Sequence, residues 1–327
     1  MVRVERVELS SYPWEGYIIA AIRHPRAFDY NTKYLKYDKI EIMSKNKKFG
    51  DRKDGKRVRN LSGLAQISID LKPNRSVSDV YINQKMDVTE LVKYVTEKKK
   101  NGEEITYFHA FVTAIGKLLY NRPYMNRFVA NRHLYEHNDV VIAFVAKVSF
   151  DDRAEEVMVQ VSIEKSDNVS SVKEKILKEL DKYRKRKKIN KKGANNIIDT
   201  LGKMPNALRI PVMGMFKWVD KKGLLPLSLT KDNLYYSSII VSNLGSIKCG
   251  AIFHNINDFG TCSSLGTFGE VKEEKGKYYC DFGINLDERI ADGYYFAKSL
   301  KMLQFVFDNP KMLEERADAE IVFDELR

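Results

Sequence analysis

From about residue 60 onward the apolar residues switch repeatedly between a spacing of three to four and a spacing of two. A helix shows its core face at i, i+3, i+4 and i+7, a strand at every second residue, so this switching constrains the fold class before composition is considered. Val88, Leu91, Val92 and Val95 follow the helical spacing behind Asp87-Val-Thr-Glu90. That tetrad fits a capping box, in which a side-chain acceptor and a glutamate three residues on satisfy orphan amides. A second helix is predicted from Thr106 to Asn121, with Phe108, Phe111, Val112, Ile115, Leu118 and Leu119 inward and Pro123 marking its end. Val172, Ile176, Leu177, Leu180 and Tyr183 line a long charged helix, and Leu208, Val212, Met215, Phe216 and Val219 line another. A last helix starts near Tyr294, with Phe296, Leu300, Leu303 and Phe307 inward and Pro310 beyond it.

Between the helices, Val140–Val148 and Val157–Ile163 are β-rich runs across an acidic turn and read as an antiparallel pair. Tyr235–Ser242 and Ser263–Val271 read as strands, and Tyr278, Cys280, Phe282, Ile284 and Leu286 alternate along one face of another. Strands outnumber simple βαβ repeats, and no glycine-rich phosphate loop opens a helix. The expectation is an α/β (α+β) two-layer sandwich, a mixed sheet with helices packed against it, rather than a doubly wound nucleotide binder. Residues 1–60, rich in Tyr and Trp, read as an N-terminal extension, and 61–327 as the core, with 190–234 inserted in it.

Composition narrows the class further. Hydrophobic residues at 43% and charged residues at 31% exclude a disordered chain and a multi-span membrane protein. No window approaches the run of roughly 18 apolar residues that a membrane span needs, and no signal peptide is visible at the start. Cys249, Cys262 and Cys280 are too few and too scattered for a disulfide framework or a zinc cluster, so a reduced, cytoplasmic, metal-free protein is expected. Lys and Arg number 56 against 44 Asp and Glu, a net charge of +12, which suits a polyanion or a phosphate-bearing cofactor such as coenzyme A. The basic runs Lys45–Arg59 and Lys182–Lys192 do not interleave aromatics with bases, and no zinc-finger or RNA-binding signature occurs. They read as a solvated face and as cations at a helix C-terminus, not as a nucleic-acid surface.

Two segments carry chemistry. Ile239-Ile-Val-Ser-Asn-Leu-Gly245 is a strand ending in Ser242-Asn243-Leu244-Gly245, and Leu286-Asp-Glu-Arg-Ile-Ala-Asp-Gly293 breaks at Asp292-Gly293 into the last helix. Alone, each reads as a turn or cap. Together, in this order, they resemble the catalytic domain of the dihydrolipoamide acyltransferases, the core subunits of 2-oxoacid dehydrogenase complexes, and more distantly chloramphenicol acetyltransferase. That family carries His-x-x-x-Asp-Gly at a strand end and Ser-Asn-Leu-Gly or a relative on an earlier strand. Asp87–Tyr94 and the Thr106–Leu119 helix also look like its first two helices, so the resemblance covers roughly residues 60–327.

The resemblance implies a chloramphenicol acetyltransferase-like, trimer-forming fold with active sites between neighbouring subunits. It implies Ser242 as hydrogen-bond donor to a tetrahedral oxyanion, and Asp292 holding the site's geometry through an arginine. Asn243, Gly245 and Gly293 fall beside the substrate. The family's histidine, the general base for a thiol or hydroxyl attacking a thioester, falls on Glu288. An imidazole near pKa 6.5 lies about 2 units below a thiol near 8.5, whereas an ordinary glutamate near 4.3 lies about 4 units below. An ionised carboxylate would also repel the developing oxyanion. Impaired or altered acyl transfer is therefore expected, with a non-catalytic trimeric scaffold as the alternative.

Of the histidines, His254 follows the Ser-Asn-Leu-Gly strand and remains the candidate substitute base. His109 reads as a packed core residue, and His133 and His137 as a solvated turn without a third ligand. No lipoyl domain or Ala/Pro linker is recognisable, so no covalent lipoyl group is expected. The acyl donor is then coenzyme A, acyl-coenzyme A being a substrate, or a separate carrier or dehydrogenase-complex partner. The apolar stretch within 190–234 reads as a helix packed on the core or trimer, the other reading being a lid or a membrane-surface contact.

Overall fold

The computed structural model describes residues 48–147, 156–186, 200–231 and 233–323. The chain divides between Phe49 and Gly50 into two units, and the elements named here all belong to the second. Residues 1–47, most of the expected N-terminal extension, lie outside the described residues. So do 190–199 of the insertion and 187–192 of the second basic run.

A small sheet of three antiparallel strands, not foreseen in the sequence, joins β1 (Gly55–Arg57) to β4 (His133–His137) and β4 to β3 (Arg127–Ala130). The large sheet has six strands: β2 (Asp79–Asp87), β5 (Val140–Lys147), β6 (Glu156–Ile163), β7 (Ile239–Asn243), β8 (Ser264–Glu274) and β9 (Lys277–Asp287). Their spatial order is β2-β9-β8-β7-β5-β6, with β5–β7 and β7–β8 parallel and the other pairs antiparallel. This is the expected mixed sheet.

Among the described residues the α-helices longer than one turn are α1 (Gly63–Leu71), α2 (Thr89–Lys100), α3 (Tyr107–Asn121), α4 (Val169–Arg186), α5 (Asn206–Lys221) and α6 (Gly293–Asp308). Leu91 and Val95 of α2, Phe111 and Ile115 of α3, and Phe296, Leu303 and Phe307 of α6 are buried in one core with Phe268, Phe282 and Ile284 of the sheet. Phe111 stacks on Phe268 at 4.0 Å between centroids and Phe268 on Phe282 at 4.5 Å, so three aromatic rings tie the helix layer to β8 and β9.

Several local expectations change. Asp87 ends β2 and its Oδ1 accepts the Thr89 amide (3.0 Å) and hydroxyl (2.6 Å), while Glu90 pairs with Lys93, so no capping box forms there. The box sits on α3 instead: Thr106 Oγ1 accepts the His109 amide and His109 Nδ1 accepts the Thr106 amide. The Tyr235–Ser242 strand begins only at Ile239, because the Asn233 side chain caps a short 3-10 turn over Leu234–Tyr236. Leu177 of α4 and Leu208 and Met215 of α5 are exposed rather than inward. His133 and His137 lie in β4, not in a solvated turn; His137 is packed against the Phe128 ring with its Nε2 buried. Pairing with β3 across a two-residue turn and with the distant β1 makes this short stretch a strand.

Burial pushes the His109 and His137 imidazoles down to about 4 from the ordinary 6.5. Between those values the unfolded chain binds protons that the native chain does not, so stability falls as pH drops from about 6.5 towards 4. His109→Gln keeps an acceptor for the Thr106 amide while removing one titrating ring. Urea unfolding at several pH values in this window should show proton uptake on unfolding reduced by about one in that variant; an unchanged pH slope would contradict the assignment.

Candidate functional site

Side chains alternate across a sheet, and residues paired between neighbouring strands share a face. Phe268, Phe282 and Ile284 point into the helix-covered core. Ser242 pairs with Thr267, and Thr267 with Gly283, so these three stand on the opposite face, followed along β9 by Asn285 and Asp287. That face is covered by the segment after β7. Leu244–Ile247 forms a 3-10 turn, Lys248 adopts a left-handed conformation, and the chain doubles back over the sheet. Thr267 Oγ1 donates to the Ile252 carbonyl (2.6 Å), the His254 amide donates to Asn285 Oδ1 (3.2 Å), and the Tyr81 hydroxyl donates to Asn255 Oδ1 (3.0 Å).

This doubling back explains Gly245. A Cβ there would lie 2.6 Å from the Gly269 carbonyl oxygen, so packing against β8 requires the glycine. Ser242 and Asn243 remain half-buried beside it. His254 is exposed, its main chain fastened next to β9 two residues before Asp287.

At the end of β9 the controlling residue is Asp287, a position the sequence reading passed over. It has no solvent exposure and accepts from the Ser78 hydroxyl (2.9 Å), the Arg289 amide (3.1 Å), and Arg289 Nε (2.8 Å) and Nη2 (2.7 Å). Arg289 Nη1 donates onward to the Lys72 carbonyl (2.8 Å), and the Glu288 amide to the Ser78 carbonyl (2.9 Å). With residues 287 and 289 turned inward, the Glu288 side chain is left facing solvent, where it forms an ion pair with the Lys72 ammonium. Asp292 caps α6 by accepting the Tyr295 amide (2.7 Å), and a Cβ on Gly293 would meet open space. The carboxylate gripped by an arginine is thus Asp287, five positions before Asp292. The start of α6 is clamped by an alternating stack: Arg127 over Tyr124 (3.3 Å), Tyr124 on Tyr295 (4.8 Å), and Arg122 over Tyr295 (3.6 Å).

Ser242 and Glu288 of one chain do not meet. Ser242 is two strands from β9, level with Gly283, and Asp287 is four residues further along. With strands ~4.8 Å apart and residues ~3.4 Å apart, Ser242 and Asp287 lie on the order of 17 Å from each other. A base and an oxyanion donor serving one carbonyl must each lie about 3 Å from the reacting atoms, so these residues cannot share a site within one chain. Among the described residues no group of three or more His, Cys, Asp or Glu could hold a metal ion, and no helix is long and apolar enough to cross a membrane.

The fold defined by this sheet and its helix layer is that of the chloramphenicol acetyltransferase-like proteins. A solved chloramphenicol acetyltransferase superposes with a TM-score of 0.51 at 10% identity, covering 77% of this chain and 99% of that one. A truncated catalytic core of the 2-oxoacid dehydrogenase multienzyme complex from Thermoplasma acidophilum superposes with a TM-score of 0.50 at 14% identity, covering 78% and 99%. The resemblance drawn from the Ser-Asn-Leu-Gly and Asp-Gly segments is therefore borne out as a fold. No protein-family model matches the chain, and no curated protein matches it in sequence.

The two adjacent carboxylates should respond oppositely to substitution. Asp287→Ala leaves Arg289 buried and unpaired and should destabilise the fold by about 3–5 kcal/mol. Glu288→Gln, breaking a solvent-exposed pair, should change stability by less than about 1 kcal/mol. Urea unfolding of both variants measures this; comparable losses would contradict the roles given to the two residues.

Proposed function

We propose that this protein is a homotrimeric acyltransferase-fold protein that binds an acyl thioester, of coenzyme A or lipoyl type, in a channel between two copies. The observation that carries the reading is the separation of Ser242 from Glu288 along one sheet, in a fold shared with acyltransferase cores. A neighbouring copy supplies what each chain lacks. In this scheme an acceptor thiol passes its proton to the Glu288 carboxylate as its sulfur attacks the thioester carbonyl. Ser242 of the neighbouring copy donates to the oxyanion, and collapse breaks the carbon–sulfur bond and returns the proton to the departing thiolate. Asp292 and Gly293 set the start of α6 next to this turn, Asn243 and Gly245 shape the Ser242 loop, and His254 is the alternative base.

The Lys72 ammonium has two consequences here. It offsets the negative charge that Glu288 would otherwise present to the oxyanion. It also engages the carboxylate, so proton transfer must displace an existing ion pair. General-base catalysis is worth about 10²–10⁴-fold, and much of that is forfeited in this arrangement. Slow transfer follows, with a separate acyl carrier or a dehydrogenase-complex partner as the source of acyl groups.

The Lys72–Glu288 pair also favours a second reading, in which the trimer binds the thioester without turning it over. Thiol release from acyl-coenzyme A with dihydrolipoamide as acceptor separates the two. The first reading predicts slow but measurable turnover that Ser242→Ala lowers by about 10²-fold and Glu288→His raises. Tight binding without turnover in both the wild type and Glu288→His supports the second. Turnover unchanged in Ser242→Ala, Glu288→Gln and His254→Ala would overturn the mechanism.

A further inference from the structure

A cavity of about 170 Å³ lies beside the Glu288 turn, walled by Arg75, Arg289, the β3–β4 hairpin turn and the C-terminal end of α5. Four cationic side chains line it (Arg75, Arg132, Lys221 and Arg289) against two carboxylates, Asp220 and Asp258. Both carboxylates have donors of their own. Asp220 accepts the Tyr236 hydroxyl (2.5 Å) and the Gly260 amide (2.9 Å), and Asp258 accepts the Arg75 amide (2.7 Å).

Arg75 is the unusual member. It is 2% exposed, its Nη1 donates to the Asn257 carbonyl (2.8 Å) and its Nη2 to that of Gly260 (2.8 Å), both neutral. Its Nε has no hydrogen-bond partner, the nearest carboxylate being Asp287 at 4.0 Å, and Asp287 is already held by Arg289. A buried guanidinium with an unmet donor at the wall of a cavity is costly unless an acceptor enters.

The rim carries a second signal. Asn131 and Arg132 both have positive φ, 47° and 61°, in the two-residue turn between Ala130 and His133. Such a turn favours Asn then Gly, and this chain has Arg where Gly would be relaxed. The strained position sets a cation at the mouth of the cavity, where it also lies 3.5 Å from Asp70.

We propose that this cavity is a binding site for a small oxyanion, a carboxylate or a phosphate group, taken up between Arg75 and the rim cations Arg132 and Lys221. The site is separate from Ser242 and does not depend on acyl transfer. Calorimetric titration of the full chain with inorganic phosphate and with acetate, at constant ionic strength against a chloride control, tests it. Saturable binding of at least one of the two is expected, one per chain; acetate alone identifies a carboxylate site, phosphate alone a phosphate site, and both a general oxyanion site.

Arg132→Gly relaxes the turn and so should not lower the melting temperature, yet it and Lys221→Glu should each weaken binding by about fivefold or more. Absence of saturable binding of both anions, or a smaller loss of affinity in both variants, would overturn the proposal.

Discussion

A carboxylate sealed from solvent holds the end of β9, and the turn that carries Glu288 is arranged around it. Asp287 gathers the Ser78 hydroxyl, the Arg289 amide and two Arg289 side-chain donors. Through Arg289 it also reaches the Lys72 carbonyl at the end of α1. Two stretches of chain far apart in sequence, the α1–β2 connection and the turn from β9 into α6, are thereby fixed to one another. A buried charge of this kind contributes through what its loss would expose: removal of one partner leaves the other uncompensated in a low-dielectric setting. The outward direction of Glu288 is a consequence, because its neighbours on both sides are turned in.

The sheet then dictates how chemistry can be done. One face is occupied by the aromatic stack and the helix layer, the other carries Ser242, Thr267, Gly283, Asn285 and Asp287 in register under the returning 244–257 segment. Because β7 runs parallel to β8 and antiparallel to β9, Ser242 closes one end of this face and Glu288 leaves the other. In the proposed mechanism, assembly and reactivity are therefore one question. In the proposed site, the ion pair of Glu288 with Lys72 spares the oxyanion a like charge and must be displaced before the carboxylate can take a proton.

Much of this was legible in the sequence where local periodicity carries the information. The faces of α2, α3 and α6, the antiparallel β5–β6 pair and the alternation along β9 all follow from spacing, and the Ser242 and Asp292 segments led to the right fold. What stayed hidden depends on distant partners. Lys72 and Glu288 are far apart in the chain, and nothing local marks either as the other's neighbour. Asp287 was passed over, although its place opposite the Leu286 face in an Asp-Glu-Arg run, with an arginine two residues on, was the available signal. His109 was read as packed core, but its capping role was missed because the usual partner at that position is Glu or Gln. His137 was misread because a five-residue polar strand is recognisable only once β1 and β3 flank it. Ile210, Met213 and Trp218 of α5, between 38% and 67% exposed, were not placed by the helical pattern either.

The central claim is that a working site takes Ser242 from one copy and Glu288 from the next, and subunit mixing tests it most directly. Ser242→Ala and Glu288→Gln proteins, each deficient alone, are dissociated, combined in equal amounts and reassembled before thiol release is followed. Sites built across copies predict recovery of about a quarter of wild-type turnover, since random assembly pairs the two intact residues at that frequency. A mixture no more active than its separate components would show that the two residues never share a site.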